Sequence, residues 1–461
     1  MAADLLIVGG DVVTMDAARR VVTCATIAIA DGQIAAIGTA DSLRAKFPGA
    51  PEHDATGCVI VPGLINAHQH ATASPLVRSM TPDDIDSQTA IFGWTVPTHA
   101  QVTPEDDEVS AMLTAVESLS RGVTTVLDAG TVANPLRVAA GFGAAGIRGR
   151  VGRWGWDIDD APFAAPTNEV LAAQRELVQA LPRDGLVTGW VSLVGHDLAS
   201  DELFVGAAAL AEELDVPMTW HISPGENDVH SYAKRSGLRP VKHLEQLGVL
   251  GPRLLLGHAV WLDDSELEAI LQSRTAVASC PGAYLRLGQG YARAGRHVEL
   301  VRRGGRLALG CDAHNAGDSP DVLRAAWLLA GLDRDRGTDD PFRADEAFAV
   351  ATIGGAEAVG LGELIGSIEV GKAADLVVMD ARDVSWIPRG DLALQLVWGA
   401  VSHTVRDVLV DGKVVMRDRV VTTVDLEALR ERVESRSAAL LARADIHVPH
   451  RWPMTPAGEV G

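Results

Sequence analysis

The sequence predicts an α/β fold: a distorted (β/α)8 TIM barrel with a small β-sandwich domain formed from both termini. Three observations predict it. The middle of the chain alternates short apolar runs with helical patterns, eight times over roughly 250 residues. Both ends carry short β-rich runs broken by turn dipeptides. Several of the apolar runs end in histidine or aspartate, where barrel chemistry assembles.

Taken in order, residues 1–61 hold β-runs at Leu5-Val8, Asp11-Met15, Thr26-Ala30 and Gln33-Ile37, with Asp31-Gly32 as a hairpin signal. Barrel strands are expected at Val59-Ile65, Val123-Asp128, Arg150-Trp154, Val187-Val194, Pro217-Ile222, Leu254-His258, Ala276-Cys280 and Leu307-Gly310. Several are almost continuously apolar, as parallel strands buried on both faces should be. Helices are expected between them, at Glu105-Arg121, Asp201-Leu214, Asp264-Gln272 and Val298-Arg303. The acids Asp106-Asp107-Glu108 read as a solvated helix start. The β-texture returns at Asp375-Val378 and Val405-Val410, before Asp411-Gly412. The organisation expected is 1–61 plus 368–424 as the sandwich, 62–367 as the barrel, and 425–461 as a C-terminal helix and tail. The segment Leu426-Ala444 fits either an interface helix or packing on its own barrel.

Composition narrows the partners. A net charge of -21 over 461 residues argues against nucleic-acid or anionic-membrane binding, which need basic surface. No apolar stretch is long enough to span a bilayer, and no basic region precedes an apolar run at the N-terminus. Cys24, Cys58, Cys280 and Cys311 form no C-x-x-C pair and read as reduced, buried thiols. A cytoplasmic protein is expected.

The strand ends carry the chemistry. His68 and His70 are two residues apart, so on a strand they project from one face. His221 ends the fifth strand, His258 the sixth and Asp312 the eighth, while Gly195-His196-Asp197 follows the fourth. Five of the 14 histidines thus end predicted strands on the face where barrel sites form. Three imidazoles and a carboxylate suit Zn2+ or a similar divalent ion, which lowers the pKa of bound water to about 7. Asp312 could approach the ion and take the water's proton, and His258 could polarise the bond under attack or protonate the leaving group.

Beyond these single residues, the chain resembles the amidohydrolase superfamily, in particular its branch of triazine hydrolases and aminohydrolases. The resemblance runs over nearly the whole chain: VPGLINAHQH at 61–70, SRGVTT at 120–125, LGHA at 256–259, GCD at 310–312 and GSIEVGKAADLV at 366–377. It implies a metal held by His68, His70, His221 and Asp312, with His258 on the electrophile side and Asp312 as proton shuttle. Two-metal members bridge their ions through a strand-end lysine. Here Lys46, Lys234, Lys242, Lys372 and Lys413 are the only lysines, and none lies on strands two to four. One divalent ion per chain is expected, Zn2+ first, with Fe2+, Co2+ or Mn2+ as alternatives.

One departure bears on the reaction. Deaminases of this branch place a glutamate three residues after the strand-five histidine, but His221-Ile222-Ser223-Pro224 has proline there, and Glu226 is out of register. The expectation is therefore hydrolysis of an amide, urea, carbamate or thiocarbamate C–N bond of a small molecule, close to the urea and thiocarbamate hydrolases. The alternative is a heteroaromatic aminohydrolase acting on a purine, pterin or triazine-like ring. A catalytically silent scaffold is the non-enzyme alternative, and the intact ligand set speaks against it. His196 resembles the family's strand-four substrate contact, and Trp94, Trp154, Trp156 and His314 are the further substrate-side candidates, with Trp261 after strand six. A homo-oligomer, dimer or higher, is expected from the resemblance.

Overall fold

The computed structural model describes residues 3–158, 162–195, 198–399 and 402–455. Eight strands, Leu64–Gln69, Val123–Asp128, Arg148–Arg153, Val187–Gly195, Met218–Ile222, Leu254–His258, Ala276–Ser279 and Arg306–Leu309, pair in chain order in one parallel sheet. The sheet curls into a barrel. Its first and last strands meet where the Cys311 and Asp312 N–H groups donate to the His68 carbonyl at 3.0 and 2.9 Å. Inside lie Ile65, Ala67, Leu127, Trp190, Leu255, Ala276, Ala278 and Ala308. The alanines make space for the Trp190 indole, whose N–H donates to the Asp128 carbonyl at 3.0 Å. Outside, the helices bury Phe142, Phe204, Leu267 and Ile270 against the strands.

Local sequence sets the helix ends. Pro104–Ser120 starts from a Thr103/Asp106 capping box with proline in its first turn. Asp201–Leu214 is capped by Ser200, and Asp264–Ser273 by an Asp263/Glu266 box. The run Asp106-Asp107-Glu108 does start a helix, but its two aspartates are not solvated. Asp106 and Asp107 are fully buried. Asp106 takes Arg436 Nε at 2.6 Å and also pairs with Arg443, both from the C-terminal helix Leu426–Arg443. That helix therefore packs on its own barrel, burying Leu429 and Leu440.

The two chain ends form one further sheet, in the order Val420–Val421, Lys413–Arg417, Val405–Val410, Leu376–Asp380, Cys58–Pro62, Leu5–Val13, Val21–Ala30, Gln33–Gly38, with Glu52–Asp54 beside Leu5–Val13. The two short runs expected at Leu5-Val8 and Asp11-Met15 are one strand, kinked by register shifts around Gly10. The apolar run Val59-Ile65 is, conversely, two strands: Cys58–Pro62 belongs to the terminal sheet and Leu64–Gln69 opens the barrel. Burial on both faces looks the same in either sheet, so hydrophobicity cannot show the switch. Gly63 makes it possible, since a Cβ there would sit 1.9 Å from Thr124 Oγ1. Both hairpins turn as their dipeptides require, with φ of 51° and 77° at Asp31 and Gly32, and 50° and 73° at Asp411 and Gly412. Cys58, Cys280 and Cys311 are buried free thiols, whereas Cys24 is exposed on the strand Val21–Ala30. No described helix is long and apolar enough to cross a membrane.

Candidate metal centre and active site

Four strand ends deliver the cluster. His68 lies in the first barrel strand and His70 just past it; His221 is in the fifth, His258 closes the sixth, and Asp312 follows the eighth. His70 Nε2 stands 3.2 Å from His221 Nε2 and 3.5 Å from Asp312 Oδ1, and His68 Nε2 lies 4.0 Å from Asp312 Oδ1. Ligands of a tetrahedral Zn2+, each roughly 2.0–2.1 Å from the ion, are about 3.3 Å apart, so these separations fit donors sharing one ion. The donor chemistry fits as well. His221 Nδ1 lies 2.9 Å from the Val194 carbonyl, which fixes the N–H on that side and leaves Nε2 as the electron-pair donor. Burial, helped by the His99 ring, pushes the His70 pKa down to about 3 and keeps the ring neutral.

Glycines make room for this packing. A Cβ on Gly257 would lie 2.7 Å from His68 Cε1, and one on Gly310 would lie 2.7 Å from His68 Cβ. Asp312, His258 and Ala259 adopt φ of 63°, 74° and 47°, a left-handed backbone that non-glycine residues take up at a cost of order 1–3 kcal/mol. Three such residues facing one point mark a functional site.

Around this cluster, Trp154 packs on His70 with ring centroids 4.8 Å apart and on His221 at 5.6 Å; Trp156 lies 5.9 Å from Trp154. Both indole N–H groups are buried without a hydrogen-bond partner among the described residues. Trp94 is half-buried in the π-turn Ile91–Thr95, and no ring contact joins it to the cluster among the described residues. Trp261 packs on the core and donates to the Gln289 carbonyl at 2.7 Å. His314 is buried behind the ligands, with Nε2 3.3 Å from Glu117 Oε2 and Nδ1 3.3 Å from Gln69 Nε2. Glu226 is exposed at the start of Glu226–Ser236, while Pro224 occupies the position three residues past His221. His196 and Asp197 lie outside the described residues.

Three further residues bear on the site and were not inferred from sequence. Cys280, at the end of the seventh strand, groups with His68, His258 and Asp312, their ligand atoms within 4.8 Å of one another. Its strand-end position is the signal that could have found it. Fully buried His297 reaches the His258 carbonyl with Nε2 at 2.7 Å and Ser279 Oγ with Nδ1 at 2.8 Å. It follows a loop rather than a strand, so no positional rule selects it. His99, buried, has its ring 5.7 Å from Trp154.

Residues 59–415 match the amidohydrolase family, and 27–50 match an imidazolonepropionase-like composite domain of bacteria. The chain belongs to the amidohydrolase family. It is 34% identical over 94% of its length to a 5-methylthioadenosine/S-adenosylhomocysteine deaminase of Syntrophobacter fumaroxidans, covering 97% of that protein. Identity to the deaminase of that name from Natronomonas pharaonis is 32%, over 96% of this chain and 99% of the relative. Among solved structures, an adenosine deaminase from Xanthomonas campestris with bound zinc superposes with a TM-score of 0.88 at 28% identity, covering 96% of this chain and 99% of that one. An atrazine chlorohydrolase from Arthrobacter aurescens complexed with zinc shares the fold, with a TM-score of 0.86 at 24% identity over 95% and 100% of the two chains. This amidohydrolase is thus a metal-dependent hydrolase acting on carbon–nitrogen bonds other than peptide bonds.

Proposed function

We propose that this amidohydrolase deaminates an aminopurine of the adenosine type, replacing the ring amine by oxygen. The observation that carries the reading is the near-complete coverage of 5-methylthioadenosine/S-adenosylhomocysteine deaminases by a chain whose His68, His70 and His221 donor atoms group together with Asp312 Oδ1 3.5 Å from His70. Zn2+ is the proposed ion, one per chain, as the adenosine deaminase neighbour binds zinc. Held by His68, His70, His221 and Asp312, a divalent ion would supply Lewis acidity, bringing the pKa of water down to about 7.

The chain's own groups account for the rest. Asp312 Oδ1 takes a proton as water adds to the amine-bearing carbon, and returns it to the nitrogen as the C–N bond breaks and ammonia leaves. His258, set by its left-handed backbone on the same point, hydrogen-bonds the incoming oxygen. Trp154 and Trp156 offer aromatic faces for a ring and two unclaimed N–H donors for its nitrogens. His314 acts from behind, holding Gln69 between the two first-strand ligands.

Pro224 favours a second reading. Pro224 stands where the branch's deaminases carry the glutamate that protonates the ring, and Glu226 is exposed. Cleavage of an amide, urea, carbamate or thiocarbamate needs no such donor. Ammonia release from adenosine, 5-methylthioadenosine and S-adenosylhomocysteine, set beside amine release from N-aryl ureas and thiocarbamates, separates the two. Turnover confined to the second panel overturns the deaminase reading. In either case Asp312→Asn is expected to abolish turnover with the metal still bound. A homo-oligomer belongs to the same proposal, supported by exposed Trp327, Ile387, Leu394 and Trp398 and tested by sedimentation.

A further inference from the structure

At the end of the barrel away from the metal ligands lies a cavity of about 520 Å³. Thr125 is in register with Arg148, and Arg150 with Leu127 and Thr188, so these side chains sit in neighbouring rows at the start of strands two to four; Thr125, Arg148, Arg150 and Thr188 line the cavity. Barrel layers are ordinarily filled by branched apolar side chains. On the neighbouring strands Leu127, level with Arg150, and Trp190, two residues past Thr188, supply such apolar filling.

Only one of these two guanidinium groups is neutralised. Arg148 pairs with both oxygens of Asp375, at 2.8 and 3.0 Å, and with Asp411 at 3.4 Å. Arg150 donates Nη1 to the Val359 carbonyl at 2.5 Å and makes no ion pair among the described residues. Burial pulls its pKa down to about 10, and no carboxylate opposes that shift. Removing a cation from water without a counter-charge is costly, and the bond to Val359 is the one hydrogen bond of this guanidinium among the described residues. Beside it Thr125 is 1% exposed, with its hydroxyl lacking any hydrogen-bond partner among the described residues. At the rim, Arg183 donates to the Leu214 carbonyl, and Asp215 is occupied by Arg253 at 2.7 Å. Of the acids lining the cavity, Asp411 and Asp215 are paired and Asp184 is exposed at the rim, and none pairs with Arg150 among the described residues.

We infer that this cavity binds a small oxyanion, a carboxylate or phosphate group, through the Arg150 guanidinium and the Thr125 hydroxyl. A planar fork of donors beside a hydroxyl is the arrangement that oxyanions fill with charge-assisted bonds. The site is separate from the metal centre and does not depend on which C–N bond that centre cleaves.

Calorimetric titration of the metal-loaded full chain with inorganic phosphate, acetate and succinate tests it. The expected result is saturable one-to-one binding of at least one probe, and the preferred probe identifies the group as phosphate or carboxylate. Arg150→Gln should weaken that binding about tenfold or more, and the near-isosteric Thr125→Val about threefold. Thr125→Val leaves every ion pair intact, so it decides the matter even if Arg150→Gln does not fold. No heat from any probe at about 10 mM, where a millimolar site would saturate, overturns the inference. Undiminished binding by either folded variant overturns it too.

Discussion

His68 is seated by what its neighbours lack. Gly257 and Gly310 both approach the ring so closely that a methyl group on either would strike it. Gly257→Ala should therefore shift the imidazole and lower metal affinity about tenfold or more, while leaving the rest of the fold in place; metal competition with a chromophoric chelator measures this. His297 works one step further out, as a positioning residue. Its Nε2–H holds the carbonyl of His258, a residue whose backbone is strained, and its Nδ1 faces Ser279. His297→Ala is expected to cut kcat about 10–100-fold with KM and metal content little changed, as outer-shell losses do. His297→Gln, whose amide can still donate to that carbonyl, should recover part of the loss. Equal defects in the two variants would mean that His297 only fills space.

The helix Pro104–Ser120 shows how one element ties distant parts together. Its capping aspartate serves the helix start and also receives Arg436 and Arg443 from Leu426–Arg443. Asp106→Ala removes the cap and leaves two arginines facing a void, at an expected cost of about 2–4 kcal/mol. Glu105→Ala, at a half-exposed side chain one residue away, should cost less than about 1 kcal/mol. Urea unfolding of the pair checks the contrast. Asp107, beside it, accepts the Asn134 N–H at 3.2 Å and takes the Thr72 hydroxyl. The same helix thus also braces the loop that leaves His70.

Across the whole molecule, buried histidines make stability depend on pH. Burial lowers His70 to about 3, and His99 and His297 to about 4. Unfolded histidine titrates near 6.5, so between about 6.5 and 4.5 the unfolded chain binds up to three more protons at these positions, and stability falls as pH falls. Asp128 acts in the opposite sense. Burial raises it to about 7, so in this window the folded chain holds a proton that the unfolded chain has released. The net difference is about two protons, or roughly 2–3 kcal/mol lost per pH unit on acidification. Urea midpoints across that range measure it; a flat profile would show that these histidines are not held neutral.

Much of this architecture was legible along the chain. Leu254-His258 and Val123-Asp128 coincide with the observed strands because a strand buried on both faces carries few polar residues and no alternation of apolar with polar. Asp201-Leu214 coincides with its helix because Ser200 and the acids after it mark the start. The site's donors were legible too, since barrel strands deliver their ends to one face. What a linear pattern could not carry was anything fixed by a partner from elsewhere. Asp106 reads as solvated because the arginine that buries it lies 330 residues away. Cys58–Pro62 and Leu64–Gln69 read as one strand because sheet membership depends on pairing, not on hydrophobicity.

By itself, then, the sequence determined the alternation that makes a barrel and the imidazole and carboxylate groups available to a metal. Tertiary structure alone decided that His70 and His221, 151 positions apart, stand 3.2 Å from each other. It also decided that His297 grips the His258 carbonyl and that Arg150 enters the lower lumen without a counter-charge. The physical reason is that periodicity is a property of neighbours in the chain. Distances between side chains are instead set by strand register and by closure of the ring.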